Sequence, residues 1–306
     1  MHKNTYLNMR LFCGKISKGF VFCKKKEEYV VAITSITDTV ELNNGVSMPR
    51  LGFGVFKVKD GEEVTSAIRA AITTGYRAID TAAAYRNEDG VGQAIRECGV
   101  PRDQLFITTK VWNADQGYET TLAAFEDSRK KLGLDYLDLY LVHWPVKDKY
   151  KDTYRALEKL YKDGLVRAIG VSNFQTHHLD DLLENSSVVP AVNQIEYHPL
   201  LTNEKVKAYC DNKGIKVTAW SPLMQGNLDL PLLTQLASKY GKSAAQIVLR
   251  WDLQKGVITI PKSINPGRIA ENADLYDFEL SAEDVTAIDA LNQNRRFGSD
   301  PDNFNF

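Results

Sequence analysis

The chain has 306 residues, 43% of them hydrophobic and 25% charged, the balance of an ordinary globular protein large enough to bury its own core. A formal net charge of -1 gives no electrostatic case for a nucleic acid or an anionic membrane as partner, and no run of about 18 apolar residues is present to span a bilayer. Cys13, Cys23, Cys98 and Cys210 lie far apart without a C-x-x-C pair, which fits free thiols in a reducing cytoplasm and argues against a disulfide framework.

Residues 1–26 carry Lys3, Arg10, Lys15, Lys18, Lys24, Lys25 and Lys26 and no acid. Lys15 and Lys18 interrupt the apolar stretches LFC and FVFC, so the unbroken core of about 7–15 residues that a signal peptide needs is missing. The cations are mostly lysine, where a transit peptide uses arginine and serine. Residues 1–34 are expected to be a dispensable basic extension, and residues 35–306 a single domain.

From Ile36 a regular alternation sets in. A hairpin comes first: TVELN, a turn at Asn44–Gly45, then VSMPRLG. Apolar runs follow as RLGFG, YRAID, LFITTK, LDLYLVHW, VRAIGVSN, PAVNQIE, IKVTAW and VITIP. Amphipathic stretches separate them; in the first, Val64, Ile68, Ala71 and Ile72 recur at the spacing of one helix face. Ser243 is the expected N-cap of the helix SAAQIVLRWDLQ. Strand–helix units with short connections read as parallel βα units joined by right-handed crossovers, and eight of them close a barrel. The expected fold is α/β, a (β/α)8 TIM barrel preceded by a short N-terminal β-hairpin.

The strand ends support closure. Nearly all finish in polar or reactive residues: Asp80, Lys110, His143, Ser172–Asn173, Gln194–Glu196, Trp220–Ser221 and Lys262–Ser263. A barrel gathers every such end at one mouth, whereas an open sheet concentrates them at a switch point. The dinucleotide fingerprint of open sheets is absent, since GFGVFK has Lys57 at its third glycine position. Three other signals carry no function. GKS at Gly241–Ser243 has Leu236 where a phosphate loop needs its first glycine. His177–His178 has no third ligand nearby in sequence and reads as a solvated helix face, so no metal site is expected. Asn185–Ser187 matches a glycosylation acceptor, which means little in a cytoplasmic protein.

Taken singly, Asp80 reads as a turn cap, Tyr85 as packing, Lys110 as a rim charge and His143 as an interior histidine. Together they suggest chemistry. A lysine ending a buried strand needs a counter-charge, and Asp80 on the preceding strand is the nearest candidate. An ammonium beside Tyr85 is expected to lower the phenol pKa from about 10, making a proton donor useful near neutrality. His143 can orient a carbonyl or relay a proton beside it. Lys262, Ser263 and Arg268 cluster where the last strand opens a helix, a candidate anion site.

At these residues the chain resembles the aldo-keto reductases. GYRAIDTAAAY, FITTKVWN, LDYLDLYLVHWP, VRAIGVSNF, VNQIEYHP and IPKSINPGRIAEN are similar to that family's motifs, in its order, from about residue 38 to the C-terminus. The resemblance implies a tetrad: Tyr85 as general acid, Lys110 as its tuner, Asp80 as partner of Lys110, and His143 as orienter of the carbonyl. It implies NADPH, with Lys262, Ser263, Asn265, Arg268 and Asn272 at the 2′-phosphate. Ser172, Asn173 and Gln194 would meet the nicotinamide carboxamide, Trp220 would stack on the ring, and Ser221, Leu223 and Gln225 would border the pyrophosphate.

Phe56, Trp112 and Trp144, with His143 at the base, are the expected substrate walls. Phe56 and the short segment after His143 resemble the small bacterial glyoxal/methylglyoxal and diketogluconate reductases. The implied activity is NADPH-dependent reduction of small aldehydes, ketoaldehydes or keto sugars by a cytoplasmic monomer. The C-terminal RRFGSDPDNFNF is expected to fold over the mouth, with Phe304 and Phe306 as lids. The competing reading is a non-catalytic redox-sensing subunit like the barrels attached to potassium channels, since such proteins can keep the tetrad.

Overall fold

The computed structural model describes residues 33–306, so the basic extension, with Cys13 and Cys23, lies outside the described residues except for Ile33 and Thr34. Those two belong with the barrel: Ile33 is buried in its core, and its carbonyl accepts from Arg250 at 3.2 Å. The hairpin pairs β1 (Thr39–Glu41) with β2 (Ser47–Pro49) in antiparallel register. Its loop is longer than a tight Asn-Gly turn. Leu42 N–H donates to Val46 O at 2.9 Å, which makes Asn43–Gly45 the loop and puts Gly45 at φ 82° as its last residue.

The parallel strands are β3 (Gly52–Gly54), β4 (Ala78–Asp80), β5 (Phe106–Val111), β6 (Leu137–Val142), β7 (Val166–Ser172), β8 (Val192–Glu196), β9 (Lys216–Trp220) and β10 (Ile258–Thr259). Side chains on both faces are buried along most of them, which is why they read as continuous apolar runs. Helices α1 (Glu62–Thr74), α2 (Glu88–Glu97), α3 (Tyr118–Leu132), α4 (Tyr150–Lys162), α5 (Thr176–Leu183) and α6 (Glu204–Lys213) cross between successive strands. Both α7 (Pro231–Tyr240) and α8 (Ala244–Gln254) lie between β9 and β10, with α9 (Pro266–Ala273) and α10 (Ala282–Asp289) after them. On α1, Val64, Ile68, Ala71 and Ile72 face the core. Ser243 caps α8, accepting Gln246 N–H at 3.3 Å.

Strand order follows chain order from β3 to β10, and the barrel closes where Leu51 bridges Thr259. Gly54 N–H donates to Pro261 O at 3.1 Å across this seam. A Cβ on Gly54 would sit 3.0 Å from Ile260 O, so the seam needs glycine there. The two ends of the barrel have different tasks. At the start of β6, fully buried Asp138 accepts Arg102 at 2.7 Å, Arg167 at 2.8 Å and Ile107 N–H at 2.9 Å, tying the base together. The opposite mouth collects the reactive strand ends. None of the described helices is long and apolar enough to cross a membrane.

Candidate active site

Asp80 ends β4 and pairs in register with Thr108 of β5. Lys110 is two residues further on, so its side chain leaves the sheet on the face of Thr108. The two charges meet there: fully buried Lys110 Nζ donates to Asp80 Oδ1 at 2.5 Å and to Thr81 O at 2.8 Å. Its remaining contact is Tyr85 Oη at 3.5 Å, which uses all three ammonium donors. Burial opposes the Lys110 charge, but Asp80 and Tyr85 outweigh it and raise its pKa, so the lysine stays protonated.

Tyr85 is placed by a short 3-10 turn, Ala83–Tyr85, that ends in Arg86 at φ 56°. The turn is fixed from behind. Thr81 Oγ1 donates to Asn87 Oδ1 at 2.8 Å, and Asn87 Nδ2 donates to Val55 O at 3.0 Å and Val58 O at 2.9 Å. Neither Thr81 nor Asn87 stands out in the sequence. An asparagine just before a helix reads as a cap, yet this side chain makes no cap bond and ties the β4 and β3 loops together instead.

The expected lowering of the tyrosine pKa is reversed. Burial raises it more than the Lys110 ammonium lowers it, and Asp80 raises it further. His143, just past β6, has its pKa held well below 6.5 by burial and then by Lys110, so it is a neutral imidazole. Its Nδ1 is buried without a partner among the described residues, which leaves Nε2 as the ring nitrogen available to a ligand. Its ring lies 5.8 Å from that of Tyr85.

Aromatic walls surround these groups. Phe56 lies 5.0 Å from Tyr85 between ring centroids, and Trp112 lies 5.3 Å from His143. The C-terminal tail folds over the mouth as expected. Phe306 stacks on Trp112 at 5.8 Å and meets Trp144 edge-on at 5.2 Å, while Phe304 lies 5.1 Å from Trp144. Glu196, buried at the end of β8, anchors this tail by accepting Phe297 N–H at 2.7 Å and Gly298 N–H at 3.3 Å. The sequence shows Glu196 only as one more polar strand end.

On the other side of the mouth, the residues implied as nicotinamide partners are bonded to one another and to the tetrad. Ser172 Oγ donates to Gln194 O at 2.9 Å, and Gln194 Nε2 donates to Asp80 Oδ2 at 2.7 Å. Asn173, at φ 66°, donates to His143 O at 3.0 Å and accepts Trp220 Nε1–H at 2.8 Å. Ser221, Leu223 and Gln225 border the same cleft, and Gln225 Nε2 donates to Phe297 O at 3.1 Å. At the N-terminus of α9, Asn265 caps the helix by accepting Arg268 N–H at 3.1 Å. Its carbonyl-type oxygen is therefore occupied and its Nδ2 is left to donate. Ser263 and Asn272 are buried there, and Lys262 and Arg268 are exposed with no acid within ion-pair distance among the described residues.

Residues 50–293 match the Aldo/keto reductase family profile. The chain is 64% identical to the glyoxal reductase of Bacillus subtilis, over 89% of this chain and 99% of that protein. It is 48% identical to methylglyoxal reductase DkgA of Escherichia coli, over 87% of this chain and 97% of that protein. Among solved structures, the Bombyx mori aldo-keto reductase in complex with NADP superposes with a TM-score of 0.82 at 41% identity, covering 89% of this chain and 97% of that one. The fold, the strand-end residues and these relatives agree: the chain belongs to the aldo/keto reductase family and is an oxidoreductase.

Proposed function

We propose that the chain reduces small aldehydes and ketoaldehydes of the methylglyoxal kind, or keto sugars, to alcohols with NADPH. The observation that carries this reading is the buried Asp80–Lys110 pair aimed at Tyr85 Oη, with neutral His143 beside it in one aromatic cleft. NADPH, when bound, supplies the hydride. Tyr85 Oη donates the proton to the carbonyl oxygen, and His143 Nε2–H holds that oxygen in line. Lys110 stabilises charge that builds on the phenol oxygen during transfer, a preorganised field worth more in a dry site than in water. Asp80 positions Lys110.

The residues fit NADPH in the manner the sequence implies. Lys262 and Arg268 lie at a helix N-terminus with no acid within ion-pair distance among the described residues, and Ser263, Asn265 and Asn272 beside them would help hold the 2′-phosphate. Ser172, Asn173, Gln194 and Trp220 line the cleft and would meet the nicotinamide, and Ser221, Leu223 and Gln225, in the same cleft, would border the pyrophosphate. Phe56, Trp112, Trp144 and Phe306 line the cleft with aromatic rings, which suits a small carbonyl. The named activities of the glyoxal and methylglyoxal reductases support that substrate class. Free Cys98 and Cys210 suit a reducing cytoplasm. We also read the enzyme as a monomer to which the basic extension contributes nothing essential.

The test is NADPH oxidation by the purified protein with methylglyoxal, glyoxal, aromatic aldehydes and keto sugars. Turnover is expected, fastest with the small dicarbonyls, and no oxidation with any of them would end the proposal. Tyr85→Phe keeps the packed ring, so it should abolish turnover while NADPH binding, followed by fluorescence, stays nearly unchanged.

A further inference from the structure

His177 and His178 open α5, and in sequence they lack a third ligand. The fold supplies one from the far end of the chain. Asp302, in the C-terminal tail, brings Oδ1 to 3.3 Å from His177 Nε2 and 3.7 Å from His178 Nε2, and the two Nε2 atoms are 3.1 Å apart. For a tetrahedral ion with ligands at about 2.0–2.1 Å, ligand atoms lie about 3.3–3.4 Å from one another. The three observed separations bracket that value. Asp302 has no lysine or arginine within ion-pair distance among the described residues; its carboxylate faces the two rings.

We propose that His177, His178 and Asp302 form a site for a divalent transition-metal ion of the zinc class, and that the bound ion pins the C-terminal tail to α5. Two imidazole nitrogens and one carboxylate oxygen suit Zn²⁺, Co²⁺, Ni²⁺ or Cu²⁺ better than Mg²⁺ or Ca²⁺. Three protein ligands leave a fourth position for water. One contact works against the ion. His178 Nδ1 accepts Gln175 N–H at 3.1 Å as part of the helix cap. Metal on Nε2 moves the ring proton to Nδ1 and gives up that bond, lowering affinity by about tenfold.

The location gives the site a consequence. Phe304 and Phe306 follow Asp302 at once in the tail and pack on Trp144 and Trp112. An ion held by Asp302 therefore fastens the strap that roofs the cleft, whichever carbonyl is reduced beneath it.

The experiment uses the full chain, untagged and stripped of metal, titrated with Zn²⁺ by calorimetry. One strong site per chain is expected, weakened about tenfold or more by His177→Ala and by Asp302→Asn, both of which alter exposed side chains. Zn²⁺ should also slow amide exchange across residues 299–304 in the parent but not in Asp302→Asn. Absence of binding overturns the proposal. So does binding that both substitutions leave unchanged, which would put the ion elsewhere on the chain. Binding that leaves exchange in the tail unaltered overturns the pinning.

Discussion

Lys110→Met removes the cation facing Tyr85 while filling the same buried channel. At the observed 3.5 Å a full charge on the phenol oxygen interacts with the ammonium by about 5 kcal/mol at an effective dielectric of about 20. Asp80, bonded to the same ammonium, opposes part of that field. What remains falls within the about 10²–10⁴-fold that a positioned general acid contributes, so kcat should drop about 10³-fold with NADPH affinity nearly unchanged. Methionine also strands Asp80 as an unpaired buried carboxylate, which destabilises. Lys110→Met/Asp80→Asn should therefore melt closer to the parent and be just as inactive. The pH profile tests the sign of the tyrosine shift. A general acid fails as pH rises through its pKa, and burial has moved that of Tyr85 upward, so the parent's reductive kcat should stay flat to about pH 9. A loss of kcat centred near pH 7–8 would refute the claim that burial outweighs Lys110, and near-normal turnover in Lys110→Met would refute its role altogether.

Two further predictions concern the framework. Asp252 is fully buried with one oxygen unpartnered among the described residues and the other accepting Thr259 Oγ1 at 2.8 Å, and burial holds its pKa well above 3.8. The folded chain therefore keeps a proton that the unfolded chain loses near pH 4, and stability is present below that pH and lost as pH rises toward the folded value. Asp252→Asn should melt higher than the parent at pH 7.5, by about 2–4 °C per kcal/mol relieved, with the gap closing toward pH 4; a constant gap would disprove the linkage. Gly298→Ala would place a Cβ 2.3 Å from Trp220 Cη2, so the tail must lift. Overpacking of this kind costs about 1–3 kcal/mol, and amide exchange at Phe297 and Gly298 should accelerate about 5- to 150-fold; parental exchange rates would show that Trp220 yields instead.

The barrel was legible because its strands are buried on both faces, which turns each into an unbroken apolar run with a polar residue at its exit. Asp80, Lys110 and His143 advertise themselves in that way. Tyr85 was readable only through its nearness to Asp80. What escaped the sequence is what depends on distance through space. The charges near Tyr85 can be guessed from neighbouring strands, but the depth of its burial cannot, and burial decides the sign of its pKa shift. Asn87 looks like a helix cap until the carbonyls of Val55 and Val58 are seen to meet its amide. Glu196 gains its role from Phe297 and Gly298, about a hundred residues later in the chain. The hairpin loop differed because Gly45 serves as the left-handed third residue of a longer loop.

The same distance effect merges two sets of residues that the sequence keeps apart. Asp80 has two carboxylate oxygens; one takes Lys110 at 2.5 Å and the other takes Gln194 Nε2 at 2.7 Å. Gln194 was expected only at the cofactor, yet its amide completes the shell of the Asp80–Lys110 ion pair. Removing it leaves a buried carboxylate oxygen unpaired, a loss of about 1–3 kcal/mol that must appear wherever Asp80 matters. Gln194→Leu should therefore lower kcat about 5- to 150-fold even at saturating NADPH, in addition to weakening NADPH itself. Lys262→Met, which touches none of this network, should raise the NADPH Kd and leave saturated kcat alone. Because the two sites share no partner, their effects should add in the double variant. Single-turnover and binding measurements separate the two parameters. If Gln194→Leu moved only the NADPH Kd, Asp80 would hold Lys110 without help, and the cofactor side of the mouth would be independent of the proton donor.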